Sequence, residues 1–422
     1  MSTEERPFSL RSVALAAFLP TLLFSTGEGA IIPIIPIAAH NLGASLAIAG
    51  FISGMIMVGE VVGDVPSGWV VGHLGERKAM IWAAVVAIVG VLIAVVAPNP
   101  WVLAVGIFLD GLATAVFALA RHAFMTTYVP IHYRARALST LGGVFRAGWF
   151  VGPLIAAGII QLTGTAQSAF WIFIIGCLGA VVVLVTVEDP AAKFVRPAKA
   201  GGHGAAAPTE GAEQAAERTS GLFQTIWAYR GVLVRMGTGA ALIGGLRATR
   251  TVMLPLWAVS IGIGESQTAL IIGIAGAIDF GLFYASGQIM DRFGRGASAI
   301  PSMVGLGLGL LVLAFTHDLG ARLGWFIAIA MVLSVANGIG SGILMTLGAD
   351  LAPQNKPAAF LGAWRFTGDV GNAAAPLVVS ALTGLASLAI ASGVMGVIGI
   401  AGAVMLARWI PRYVPRKPRP AR

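Results

Sequence analysis

Apolar residues run along this chain in long unbroken blocks, parted by short polar stretches. A segment that crosses the hydrocarbon of a bilayer needs about 20 mostly apolar residues. Twelve blocks meet that length: 12–38, 46–72, 79–97, 101–129, 137–162, 167–187, 233–262, 267–290, 297–316, 322–351, 358–383 and 387–409. They are continuously apolar, not alternating, which predicts helices over barrel strands. We number them spans 1 to 12. The segment 188–221, "EDPAAKFVRPAKAGGHGAAAPTEGAEQAAERTSG", breaks the pattern, being rich in Ala, Gly, Pro and charge. It is expected to be a flexible cytoplasmic linker. The domains predicted are therefore 1–187, six helices, and 222–422, six helices with a basic tail. The stretch "LFQTIWAYRGVLVR" after the linker has only a weak apolar stripe for lying on the membrane surface.

Composition sharpens this. Hydrophobic residues make up 57% of the 422 and charged residues 11%. Soluble domains carry roughly 25% charge, so a large soluble core is excluded. The net charge of +9 could point to nucleic acid, but its placement does not. Arg6 and Arg11, Arg77 and Lys78, Arg134 and Arg136, Arg292 and Arg295, Lys356 and the tail "PRYVPRKPRPAR" all fall in alternate loops, on one side of the spans, and the opposite loops hold almost none, with Arg322 the exception. That pattern places both termini in the cytoplasm of a multi-pass cell-membrane (inner or plasma) protein with no nucleic-acid partner. No cleavable signal peptide is expected, because the apolar stretch after "MSTEERPFSLR" is too long. Cys177 is a lone cysteine and the six histidines lack ligand spacing, so neither a disulfide nor a metal site is expected.

The two halves resemble each other. "SGWVVGHLGERK" at 67–78 matches "SGQIMDRFGRGA" at 286–297, an offset of 219 residues. The same offset relates Pro36 to Pro255, Gly143 to Gly362, Arg146 to Arg365 and Gly152 to Gly371. Parallel repeats of this kind are a transporter signature.

Deep charge is unevenly spread. The interiors of spans 3, 6, 9 and 12 hold none. Glu28 lies on span 1, Glu60 and Asp64 on span 2, Asp110 and Arg121 on span 4, and Arg146 on span 5. Arg247 and Arg250 lie on span 7, Asp279 on span 8, and Arg365 and Asp369 on span 11. A charge at the bilayer centre costs about 2.5–3.5 kcal/mol even on the lenient scale, so charged helices must face a wet cavity or each other. The charge-free helices can face lipid. This predicts an all-α fold of twelve transmembrane helices in two pseudo-symmetric six-helix bundles around a central path.

These features resemble the major facilitator superfamily along essentially the whole chain. "GQIMDRFGRG" fits the family's loop signature closely, through Gly287, Asp291, Arg292, Gly294 and Arg295. The first copy keeps Gly68, Gly75, Arg77 and Lys78 but has Gly72 where the family carries Asp, a gap that Asp64 could fill. The resemblance implies that these loops act in conformational change, not in substrate contact. "GWFVGP" on span 5, with Gly148, Gly152 and Pro153, is similar to the motif of the family's antiporters, drug/proton exporters above all. Against that branch, span 4 has Ile107 where such exporters carry a buried arginine.

Each deep charge has a bland and a functional reading. Arg146 and Arg365 lie 8–10 residues inside their spans, about 12–15 Å deep, beyond easy snorkelling. They either pin helix packing through an acid or line the cavity and grip an anionic group. Arg247 and Arg250 share a helix face and need acids or an anionic ligand. Glu28, Glu60, Asp64, Asp110, Asp279 and Asp369 are the proton-coupling candidates, since buried carboxyls can load and release protons near neutrality; an intrahelical pair with Arg365 is the bland reading of Asp369. Gly148 and Gly152 read as a packing seam, and Trp149, Trp257 and Trp364 as packing before pocket lining. The expected function is a proton-coupled secondary transporter, not an enzyme, exporting amphipathic drug-like compounds by alternating access. The alternative is a proton-coupled transporter of a specific anionic metabolite or lipid. No "GxxxxGK[ST]" is present, so neither ATP nor another cofactor is expected. The partners are a small-molecule substrate, protons and the bilayer, around a monomer.

Overall fold

A computed structural model describes residues 14–129, 131–187, 222–353 and 357–414. The predicted linker, the start of the chain with Arg6 and Arg11, Lys356 and the last eight residues lie outside the described part.

The apolar blocks become helices. Span 1 opens as a π-turn, Ala14–Phe18, continues as Leu19–Ile31, and resumes as Ile35–Asn41 after a 41° bend. Pro33 stands in the break and Pro36 at the restart. Proline lacks an N–H and clashes with the preceding turn, which is why a block continuous in hydrophobicity is not one straight helix. Spans 2 to 6 are Leu46–Leu74, Glu76–Val95, Pro100–Tyr128, Ile131–Thr163 and Ser168–Thr186. A short helix, Leu222–Ala228, and a π-turn, Leu233–Gly237, lead into span 7, Thr238–Ser260. Spans 8 and 9 are Glu265–Phe293 and Gly296–Ala314. Span 10 runs Arg322–Ile339, breaks, and resumes as Ile343–Leu351. Its break needs glycine, since Gly342 has φ +79°. Spans 11 and 12 are Pro357–Leu385 and Leu388–Tyr413.

Among the described residues, nine of these helices are long and apolar enough to cross a membrane, and the bent pair makes a tenth. Spans 7 and 11 complete the twelve. Each carries a dense patch of charge, Arg247 with Arg250 and Arg365 with Asp369.

Helix packing repeats between the halves. In the first bundle span 1 packs on span 5, span 2 on span 4, and span 3 on spans 4 and 6. In the second, span 7 packs on span 11, span 8 on span 10, and span 9 on spans 10 and 12. The bundles meet along two equivalent seams, span 2 on span 11 and span 8 on span 5. Small residues permit the closest crossings. A Cβ at Gly148 would strike Ser25 and Thr26, and one at Gly152 would strike Thr26 and Ala30. Gly371, the counterpart of Gly152, presses on Ala241 of span 7 in the same way.

Both seams are shut at the face opposite the termini. There Asn41 Nδ2 donates to Glu265 Oε1 at 2.7 Å, Ser266 Oγ to the Ala157 carbonyl at 2.8 Å, and Ser380 Oγ to the Ala47 carbonyl at 2.7 Å. Gly273 closes on Leu154, and Gly54 on Pro376. Toward the terminal face the seams part. Gly142, Gly143, Gly281 and Gly287 have open space beside them, and Tyr284 is 76% exposed. The molecule is closed at one face and open at the other.

Candidate functional site

Between the bundles, just beneath the closed face, lies a cavity of about 300 Å³. Its wall includes Glu60 of span 2, Arg146, Trp149 and Pro153 of span 5, Arg247 and Arg250 of span 7, Asp279 of span 8, Asn337 of span 10 and Asn372 of span 11. Both halves contribute, and the acids are equivalent: the 219-residue offset that pairs the arginines also pairs Glu60 with Asp279.

The arginine side is built on the broken span 10. Arg146 Nη1 donates to Ser341 Oγ at 3.0 Å, and its guanidinium lies 4.7 Å from the centre of the Phe283 ring. Ser341 Oγ in turn donates to Asp279 Oδ1 at 3.4 Å. Asp279 also accepts from Asn337 Nδ2, and Arg250 Nη1 stands 3.9 Å from its other oxygen. Arg250 donates to Ser334, and Arg247 to the Gly340 carbonyl that the helix break frees. Among the described residues, the Nε groups of Arg247 and Arg250 are buried without an acceptor.

The acid side is reached through Trp149. Its Nε1 donates to Glu28 Oε2 at 2.9 Å, and Thr114 Oγ1 donates to Glu28 Oε1 at 3.2 Å. Glu28 is fully buried behind the cavity wall. Asp110, one turn from Thr114, is also fully buried, and among the described residues neither of its carboxyl oxygens has a partner. It lies in the packing of span 4 against span 3, where Gly90 presses on its backbone, and it does not reach the cavity. Arg121 is buried with its guanidinium 4.4 Å from the Phe145 ring centre.

Three candidates gather instead below the cavity, at its open mouth. Arg365 Nη2 stands 3.5 Å from Asp64 of the other bundle, and its Nε donates to Asp369 at 3.2 Å. Its side chain is 44% exposed, so it faces the opening and not the cavity wall. Arg365 is thus separated from Arg146, its counterpart by sequence.

The loop motifs lie at the terminal face. Gly75 and Gly294 make the same turn, at φ +78° and +90°. Gly68 is buried and Lys78 exposed. Arg77 donates to the carbonyls of Leu184, Val185 and Val187, where a cation suits the end of span 6. Arg295 donates to Asp350 at 2.7 Å and to Asp291 at 3.2 Å. These hydrogen bonds, Asp350's foremost, lift the Arg295 guanidinium above its ordinary pKa. Asp291 is 82% exposed, and Arg292 lies 5.3 Å from the Phe293 ring centre. Asp291, Arg292 and Arg295 make their contacts within the second bundle.

Sequence reasoning did not single out Asn337, Ser341 or Thr114. The signal for the first two was "NGIGSG" at 337–342, a glycine-rich interruption inside an apolar span. Of three tryptophans weighed, Trp149 lines the cavity, Trp257 is fully buried and Trp364 donates to the Leu344 carbonyl.

Two pseudo-symmetric helical bundles around a charged internal cavity define a membrane transporter, not an enzyme. The chain belongs to the Major Facilitator Superfamily, which it matches over residues 17–376. "Probable inositol transporter 3" of Arabidopsis thaliana is 26% identical over 196 residues, 45% of this chain and 33% of that protein. The galactose-proton symporter of Escherichia coli (strain K12) is 27% identical over 172 residues, 36% of this chain and 37% of that one. The chain thus matches about a third of the length of these curated relatives. Among solved structures, a D-xylose-proton symporter superposes with a TM-score of 0.72, over 97% of this chain and 99% of that one at 16% identity. A POT family transporter in complex with 5-aminolevulinic acid gives 0.71, over 98% of both chains at 13% identity. At these identities the likeness is one of fold.

Proposed function

We propose that this chain is a proton-coupled secondary transporter that carries a small hydrophilic solute through the central cavity by alternating access. The observation that carries this reading is a cavity shut at one face and open at the other, with ionisable groups of both bundles in its wall. Glu28, Glu60 and Asp279 are the proton-handling groups on this reading: Glu60 and Asp279 touch the cavity, and Glu28 reaches it through Trp149. The arginine-bearing loops lie at the terminal face, so that face is cytoplasmic, with both termini, and the conformation opens inward. On this reading the domains are 1–187 and 222–422, with 188–221 as the linker, and the transporter acts as a monomer in the cell membrane.

Export of amphipathic drugs, which Gly148, Gly152 and Pro153 suggested, has less support. Those glycines form the tight crossing of spans 1 and 5. A site for lipophilic cations would need an excess of acid, and this wall carries Arg146, Arg247 and Arg250 against Glu60 and Asp279. The relatives reported above are named for inositol and galactose. The test is reconstitution in liposomes holding an internal pH dye, with an imposed gradient and a panel of galactose, inositol, sugar acids and lipophilic cations. Proton movement triggered by a hydrophilic solute is the expected result. Movement triggered by lipophilic cations alone would reinstate drug export.

A further inference from the structure

The cavity contains more hydrogen-bond donors than the protein satisfies. A guanidinium has five N–H donors and no acceptor. Among the described residues, Arg146, Arg247 and Arg250 each donate one hydrogen bond, to Ser341, the Gly340 carbonyl and Ser334. Among the same residues the Nε groups of Arg247 and Arg250 have no acceptor despite full burial. Asp279, the nearest carboxylate, is already held by Asn337 and Ser341 and stands 3.9 Å from Arg250. Charge is unbalanced in the same direction. With Glu60 and Asp279 both ionised, the three arginines leave one positive charge unmatched, and protonating either acid leaves two. Unmatched charge held away from bulk water is costly, and a bound monoanion cancels it.

We infer that the transported solute is a small hydroxylated monocarboxylate, its carboxylate docked on Arg146, Arg247 and Arg250 and its hydroxyls met by Asn337 and Asn372. This rests on the reading of the cavity as the transport site. Guanidinium forks match a carboxylate in geometry as well as charge. A neutral sugar leaves the excess charge unanswered. A phosphate monoester, a dianion near neutrality, exceeds it while both acids are ionised. Because Arg146 belongs to the first bundle and Arg247 and Arg250 to the second, one carboxylate bridges both, so its binding favours the conformation in which they are closest.

The test is solute binding to the full chain in detergent, followed by calorimetry and thermal shift. The probes are gluconate, glucuronate and quinate, the neutral galactose and myo-inositol, glucose 6-phosphate and tetraphenylphosphonium. At least one carboxylate should bind, and at least about tenfold more tightly than the neutral probes, as charge-assisted hydrogen bonds require. Arg247→Gln and Arg250→Gln should each weaken that binding about tenfold or more, and Arg250→Lys, which keeps charge but loses the fork, by an intermediate amount. Arg408→Gln, an exposed arginine on span 12, should change nothing. If a glutamine variant does not fold, the probe ranking on the unaltered chain still decides. Equal binding of neutral probes, tighter binding of the phosphate, no carboxylate binding, or glutamine variants that bind like the unaltered chain would each overturn the inference. A neutral solute that moves protons in liposomes would sink the anion and leave proton-coupled transport standing. Carboxylate binding without proton movement would do the reverse.

Discussion

Spans 2 and 8 hold equivalent places in the two bundles, and each turns a carboxylate to the cavity, Glu60 in one and Asp279 in the other. Around them the halves diverge. The position 219 residues after Glu28 is Arg247, so an acid in the first half answers to a base in the second. Glu28 sits fully buried against Thr114 and Trp149, while Arg247 opens on the cavity and uses a carbonyl freed by the break in span 10. The residue 219 after Asp64 is Phe283; Arg365 pairs with the first across one seam, and Arg146 stacks on the second across the other. What was kept is packing: the glycine crossings, the turns at Gly75 and Gly294, the two seams. What changed is charge. On the reading proposed above, the first half supplies Glu28 and Glu60, two of the three proton-handling groups, and the second holds most of the solute.

The largest effects should come from what the halves share. Gly152→Val and Gly371→Val each drive a side chain into the backbone of a neighbouring span. Each should cost at least the roughly 1–3 kcal/mol typical of overpacking and leave little monodisperse protein on size-exclusion chromatography. A half that tolerates its substitution would break the packing symmetry. Next come the residues that differ. Glu28→Gln should abolish uphill transport, by about a hundredfold or more, while downhill exchange continues, the expected magnitude for losing a positioned proton carrier. Arg247→Gln should do the opposite, raising KM about tenfold with proton coupling intact. If both substitutions strike coupling alike, the division of labour between the halves is wrong.

The fold was legible because hydrocarbon imposes it: blocks of sufficient length became spans, and charge-free blocks marked spans that need no wet neighbour. The bend in span 1 was hidden, since hydropathy does not register that Pro33 breaks a helix. Depth along a span was legible only in part: counting set Arg146 and Arg365 level, yet Arg146 lines the cavity and Arg365 stands at its mouth. Direction around a span was not legible. In a helix apolar on nearly every side no stripe tells which way a charge points, so Asp110, enclosed between spans 3 and 4, could not be distinguished from Glu60, at the cavity. The repeat offset, extended from glycines to acids, would have paired Glu60 with Asp279 in advance.

A smaller effect tests the open mouth. Arg365 and Asp64 are partly exposed, and such pairs contribute about 0–1 kcal/mol. Asp64→Asn and Arg365→Gln should each change turnover by no more than about fivefold, with KM near its original value, and the double variant should match the worse single. Additive losses would mean that the two do not act through each other.

The smallest change concerns the loops, where the second copy has Asp291 and the first has Gly72. In this conformation Asp291 is 82% exposed and is held by Arg295, which keeps its bond to Asp350 without it. Asp291→Asn should therefore leave thermal stability within about 0.5 kcal/mol. Any effect on cycling must arise when the terminal face closes and the loop finds new partners, so turnover should fall a few-fold while solute affinity stays within about threefold. Gly72→Asp supplies the missing acid to the first loop. If both loops work by the same contacts, it should slow opening of the terminal face without changing affinity. A large loss of affinity from either substitution would place these loops in contact with the solute, where nothing in the present geometry puts them.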